Sequence, residues 1–208
     1  MRKMSPLFND DRRALLDLAR KAISTAILEK KLFDVPPYPA ALAHPAGAFV
    51  TLHRNGRLRG CVGQVESPGP LVETVVRSAI SAALHDSRFP EVQADELDRL
   101  DIEISVLSTP EPILPEAILV GHHGLLVVKG EKRGLLLPQV ASERKWSAQR
   151  FLEETCDKAG LPPDAWRDAS TCVLAFTAEV FSEAGIRAGE SVRIELEKDK
   201  TPHPSQKT

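Results

Sequence analysis

Apolar residues recur at Leu15, Leu18, Ala19, Ala22, Ile23, Ala26 and Ile27, a spacing that gathers them into one stripe along a helix. Asn9 or Asp10 is the expected cap for the exposed N–H groups at its start. Pro36, Pro37 and Pro39 close the segment, since each removes a donor and biases the residue before it away from helix. Two short β-prone runs, 48–53 and 58–65, then flank Asn55-Gly56. That dipeptide accepts the positive φ angles of a tight turn, so the runs form a hairpin. Val72, Val75, Val76, Ala79, Ile80 and Ala83 define a second amphipathic helix, which stops near Asp86-Ser87-Arg88-Phe89-Pro90.

Farther along, Ile102, Ile104 and Val106 alternate with Asp101, Glu103 and Ser105, as in a strand with one buried and one polar face. Short apolar runs at 118–120, 125–128 and 135–137, punctuated by glycines, predict short antiparallel strands and a smaller β-rich lobe at roughly 110–140. Ser142 is the expected cap of a third helix carrying Ala148, Phe151, Leu152, Thr155, Cys156 and Ala159, with Gly160 at its end. The stretch 171–181 alternates, placing Cys172, Leu174, Phe176, Ala178 and Val180 on one face. Residues 196–208 are too polar to bury and read as a disordered tail. The predicted class is α+β: a mostly antiparallel sheet, about three flanking helices and a smaller β-rich lobe, with residues 10–190 forming one domain.

Composition narrows the function classes. The 208 residues carry 27 Lys and Arg against 29 Asp and Glu, a net charge of -2 that gives no global attraction to nucleic acid or an anionic membrane. Arg54, Arg57 and Arg59 crowd one hairpin, yet aromatic residues are only 5% of the chain, too few for a base-stacking surface. No apolar run approaches the roughly 20 residues that span a bilayer. The start, Met1-Arg2-Lys3-Met4-Ser5-Pro6, leads into an acidic amphipathic stretch rather than an apolar signal core. Three cysteines with no CxxC pair do not make a disulfide framework. The expected setting is the cytoplasm. No metal or cofactor is expected either, because HExxH, GxGxxG, GxxxxGK and a closely spaced cysteine trio are all absent.

The most unusual segment is Arg57-Leu58-Arg59-Gly60-Cys61-Val62-Gly63. Gly60 and Gly63 bracket Cys61 and let the backbone kink or be approached closely by a ligand. On a regular strand Arg59 and Cys61 share a side, and a guanidinium beside a thiol favours the thiolate nucleophile. A two-residue turn, however, sets Leu52 opposite Arg59 and Val50 opposite Cys61, which groups Cys61 with aliphatic neighbours as an inert core thiol. Both readings stay open. Cys156 and Cys172 fall on apolar faces and read as core. His122 and His123, adjacent on a strand, point to opposite faces and do not share an ion. His85, Asp86 and Arg88 sit where a helix gives way to a loop, fit either to lock the turn or to handle protons and an anionic group. Glu103, on a polar strand face, reads as solvated, and Gln139 offers hydrogen bonds before a helix.

Five segments in order carry a resemblance: Leu58-Arg59-Gly60-Cys61-Val62-Gly63, Asp86-Ser87-Arg88-Phe89, Glu103-Ile104-Ser105-Val106-Leu107, Gly121-His122-His123-Gly124-Leu125, and Leu136-Leu137-Pro138-Gln139-Val140-Ala141. The chain resembles the AMMECR-domain family over roughly residues 10–190. Val62 stands where the family usually has isoleucine. The resemblance implies an α+β fold with a larger sheet-and-helix part and a smaller lobe. It also implies kinship with the A component of AmmeMemoRadiSam systems, alongside a Memo-like protein and a radical S-adenosylmethionine protein. On this reading the chain is an enzyme or accessory component of a modification pathway. Its catalytic set is Cys61, Arg59, His85 and Asp86, and its small-molecule-binding set is Gly60, Gly63, Arg88, His123 and Gln139. The alternative is a non-catalytic interaction or substrate-carrier module.

Overall fold

The first apolar stripe becomes α1 (Asn9–Ser24), prolonged by one π-helical turn at Thr25–Glu29 in a computed structural model that describes residues 7–189. The predicted tail at 196–208 lies outside the described residues. Neither Asn9 nor Asp10 caps α1. Asn9 is already helical and accepts from Arg12 Nη1 at 2.8 Å, while the Asp11 carboxylate reaches back to the Phe8 N–H at 3.1 Å. The hairpin forms as expected from β1 (Ala48–Arg54) and β2 (Arg57–Gln64). Asn55 and Gly56, at φ 52° and 72°, make the two-residue turn.

β1 pairs on its other side with β3 (Leu100–Leu107), which pairs in turn with β8 (Ala178–Ser182), giving an antiparallel sheet ordered β2-β1-β3-β8. One face of this sheet, with Val50, Leu52, Ile102, Ile104, Val106 and Phe181, packs on α1 and on α2 (Leu71–Leu84) to form the main core. Two partly or fully buried ion pairs fasten α1 to β8 and to the residue that follows it. Arg12 donates to Glu179 at 2.7 Å and Arg20 to Glu183 at 2.5 Å, where each buried carboxylate needs its partner.

The second sheet, ordered β4-β7-β5-β6, consists of β4 (Glu111–Pro112), β5 (Gly124–Lys129), β6 (Lys132–Leu136) and β7 (Cys172–Phe176). α3 (Pro138–Glu143) and α4 (Ala148–Lys158) pack beside it around Leu125, Phe151 and Leu152. The smaller lobe thus continues past 140 to include α4 and β7. Ser147, not Ser142, caps α4, accepting from the Arg150 N–H at 3.2 Å; Ser142 lies inside α3. Residues 118–120 form no strand: they run from the 3₁₀ turn at Pro115–Ala117 into a tight turn at 120–122.

The alternating run 171–181 splits in two. Thr177 is the crossing point between the sheets, its N–H donating to Ser108 Oγ at 2.9 Å, and β7 and β8 belong to different sheets; Val173 and Ala175 of β7 and Phe181 of β8 pack on the two cores, so the helix-facing side is the odd-numbered one and not the side that carries Cys172. Cys172, expected in the core, is exposed at the start of β7, whereas Cys156 is fully buried. A short α5 (Glu183–Ala188) follows β8. Among the described residues, no helix is long and apolar enough to cross a membrane.

Candidate functional site

One extra residue in β2 decides where Cys61 points. Leu52 lies opposite Gly60 but His53 lies opposite Leu58, so Arg59 is a β-bulge without an opposite partner. A one-residue slip turns every later side chain to the other face. Thr51, not Val50, therefore faces Cys61, and Val50 faces Val62. Val50 and Val62 point to the helices; Thr51 and Cys61 point away from them. The half-buried Cys61 Sγ accepts from Thr51 Oγ1 at 3.3 Å.

β2 is the edge strand of its sheet, and the outward backbone groups of Cys61 are both taken. Its N–H donates to Asp86 Oδ2 at 2.8 Å, and its carbonyl accepts from Arg88 Nη2 at 3.1 Å. The helix-end turn thus plugs the strand edge against pairing with another chain. Arg88 also donates through Nε and Nη2 to the two Asp86 oxygens at 2.9 and 2.7 Å. These bonds from Arg88, with the Cys61 N–H, hold the Asp86 carboxyl well below the usual carboxylate range. Asp86 is consequently a fixed anion at neutral pH, an anchor rather than a proton carrier. Arg88 is pushed above its ordinary value, chiefly by Asp86 and in smaller part by Cys61. We expect Asp86→Asn to lower the urea midpoint by about 1–3 kcal/mol equivalent, as for a lost charged hydrogen bond. It should also speed amide exchange at Cys61; unchanged exchange would show that the clamp holds nothing.

The remaining predicted residues do not all converge here. Arg59, expected beside the thiol, instead donates through Nε and Nη2 to the buried Glu96 at 3.0 and 2.9 Å, and through Nη1 to the Pro90 carbonyl at 2.8 Å. The bulge gives it this different direction, and Arg88 supplies the guanidinium near Cys61. His85 is exposed at the end of α2. The two glycines admit the protein's own backbone rather than a ligand. A Cβ on Gly60 would lie 2.1 Å from the Ala82 carbonyl oxygen of α2, and one on Gly63 would lie 2.3 Å from the Ala48 oxygen and against the Phe49 ring.

Glu103 pairs with Thr51 from the other side of β1, so Cys61, Thr51 and Glu103 form a lateral row on the face away from the helices. Rather than standing in solvent, Glu103 lines a cavity of about 150 Å³ with Gly121, His122, Pro138, Gln139, Glu143, Ala178 and Val180. The polar positions of the alternating strand pattern were the only signal for this, and they do not tell a cleft from bulk water. His122 and His123 lie in the turn segment before β5, not in a strand, and their ring centroids are 4.9 Å apart. His123 Nδ1 accepts from the Leu119 N–H at 3.1 Å and so holds the turn, and burial lowers its pKa in keeping with a neutral acceptor. Among the described residues, no group of three potential metal ligands converges.

The AMMECR1 family profile matches residues 16–181, which include both the Cys61 clamp and the cavity wall. The chain belongs to the AMMECR1 family. A protein of Methanothermobacter thermautotrophicus is 46% identical over 191 residues, covering 88% of this chain and all of that one. Protein TK0174 of Thermococcus kodakarensis is 46% identical over 181 residues, covering 81% of this chain and 88% of its own. The crystal structure of protein PH0010 from Pyrococcus horikoshii superposes with a TM-score of 0.77 at 44% identity, covering 86% of this chain and 94% of that one. This AMMECR1-family chain therefore shares its α+β architecture with a solved relative.

Proposed function

We propose that the face of the larger sheet carrying Cys61 is a thiol site for a small molecule, with Cys61 as the group that attacks or holds it and Arg88 as the neighbouring cation. The observation that carries this reading is the bulge at Arg59, which turns Cys61 away from the helix-packed core. Thr51 donates to the sulfur, and the Asp86–Arg88 clamp fixes the backbone on either side. Such positioning suits a nucleophile more than a packing residue. The setting we propose is a modification pathway shared with a Memo-like protein and a radical S-adenosylmethionine protein, for which the family resemblance is the support.

Alkylation by iodoacetamide, followed residue by residue by mass spectrometry, tests the thiol reading. Cys61 should react faster than the exposed Cys172, and Arg88→Ala should slow it several-fold while Arg88→Lys partly restores it. If Cys61 reacts no faster than Cys172 and ignores Arg88, the thiol site is lost.

A second reading, a non-catalytic carrier or interaction module, is favoured by one observation. The Cys61 N–H is already donated to Asp86 and so is not open to a developing oxyanion. A carrier would form one adduct per chain, without turnover.

A further inference from the structure

We propose that the smaller lobe is a hinged lid over the cavity, turning as a body about the crossing at Ser108 and Thr177. The chain path is the first ground. The lobe is one continuous insertion, residues 111–176, set between β3 and β8. The chain leaves the larger sheet through Ser108-Thr109-Pro110 and returns to it through Thr177 alone. These two crossings lie side by side. The Ser108 N–H donates to the Thr177 carbonyl at 2.9 Å, and the Thr177 N–H donates to Ser108 Oγ at 2.9 Å. A few loop residues at one place can absorb the rotation of a whole lobe; connections far apart would clamp it.

Packing allows the pivot to turn. The main core draws on residues up to Val106 and on Phe181 and Ile186, with none from 111–176. The cores around Leu125 and Val127 draw on residues 113–175 and on no others. Among the described residues, every pair of elements in extensive contact lies within one lobe. So sparse a boundary permits relative motion. Arg133 and Glu66 join the lobes at 3.7 Å, but both side chains are mostly exposed, where an ion pair holds little. Phe176 packs its ring where Gly124 carries no Cβ, so it belongs to the smaller lobe and moves with it.

The cavity lies on the seam. Its wall on one side is Glu103, Ala178 and Val180 of the larger sheet; on the other it is the turn at Gly121-His122 and α3. Turning the lobe therefore widens or narrows the space of about 150 Å³ between them. Pockets for small molecules favour such boundaries, and hinge closure is a common means of sequestering what enters. Glu103 also ends the row that runs through Thr51 to Cys61, so the lid closes on the sheet face that carries the thiol. Glu103 and His122 each make a further interaction within the protein, and the hinge does not depend on either being free.

Residual dipolar couplings of the full chain in a neutral aligning medium test the hinge. Amides of 9–107 and 178–188 should fit one alignment tensor and those of 111–176 another. Alignment of the smaller lobe should be weaker by up to about a third, the contrast between a rigid and a flexible body. Ser108→Ala removes the acceptor of the Thr177 N–H and should enlarge that difference. Ser170→Ala removes a hydroxyl bonded to Asp168 inside the smaller lobe and should leave the difference unchanged. One common tensor of equal strength for both lobes of the unaltered chain would overturn the hinge. An effect of Ser170→Ala as large as that of Ser108→Ala would overturn its placement at the crossing. The couplings do not involve the sulfur, so the hinge and the thiol reading stand or fall separately.

Discussion

Gly60→Ala should be among the most destabilising single substitutions in the chain, costing about 3 kcal/mol or more as for an overpacked core site. The new methyl would lie 2.1 Å from the Ala82 carbonyl oxygen and 3.1 Å from its carbon. Both are backbone atoms, so rotamer changes offer no relief and the last turn of α2 must lift from β2. That turn ends at Asp86, which holds the Cys61 amide. Loosening it therefore disturbs the clamp as well as the core. A chain of this size loses about 2–4 °C in Tm per kcal/mol, so a fall of at least about 6 °C is expected. Gly56→Ala serves as the comparison. Its Cβ meets nothing within 4 Å, but its φ of +72° strains any L side chain, at about 1 kcal/mol. A Gly60→Ala chain that melts no lower than Gly56→Ala would show that helix and strand do not approach so closely.

The elements whose apolar pattern repeats over several turns or a whole strand were legible in the sequence. The stripes of α1 and α2 and the alternation of β3 each bury the side they predict, and Asn55-Gly56 marks its turn. One failure arises where a single residue changes the phase. Period-2 reasoning has no term for a bulge, so the sequence does not mark Arg59 as the extra residue and leaves open which face Cys61 takes. In 171–181 the alternation itself holds, but both faces carry apolar residues, so the pattern does not tell which one packs on helices, and Cys172 is exposed. Caps fail for a milder reason, since several adjacent polar residues can each serve and only the final turn geometry chooses among them.

The site was legible in its pieces and not in its pairings. Cys61, Asp86 and Arg88 were singled out, but Arg59 is nearer in sequence to the thiol than Arg88 and was the natural partner. Edge-strand geometry reverses that choice. Cys61 directs its N–H and carbonyl outward, where the end of α2 can reach them, while Arg59 bulges toward a buried acid. That acid, Glu96, lies in a polar run, Ala94-Asp95-Glu96-Leu97-Asp98-Arg99, where sequence alone gives no reason to single it out. Its burial shows only once the hairpin has folded over it.

Glu96 carries the second large expected effect. Its side chain accepts from Arg54 at 2.6 Å, from Arg59 at 3.0 and 2.9 Å, and from the Gln93 N–H at 2.9 Å. It is 5% exposed, so its charge depends on those partners. Glu96→Gln leaves two guanidinium groups facing a neutral amide, with Arg59 almost wholly buried. Removing one member of a buried ion pair costs about 3–5 kcal/mol. The same pair makes stability depend on acid. Hydrogen bonds from Arg59, with those from Gln93 and Arg54, lower the Glu96 pKa from its ordinary 4.5 to about 2. Because the folded value lies below the unfolded one, the unfolded chain takes up the proton first as pH drops. The contribution is fully present above 4.5 and drains away as pH falls toward 2. Asp86 titrates even lower and adds its own acid loss in both chains. Urea midpoints measured from pH 6 down to pH 2.5 for wild type and Glu96→Gln should therefore converge, the variant being much weaker at pH 6 and nearly matched at the acid end. A constant gap across that range would mean that Glu96 stabilises by shape and not by charge, and the Arg54–Glu96–Arg59 network would lose its electrostatic role.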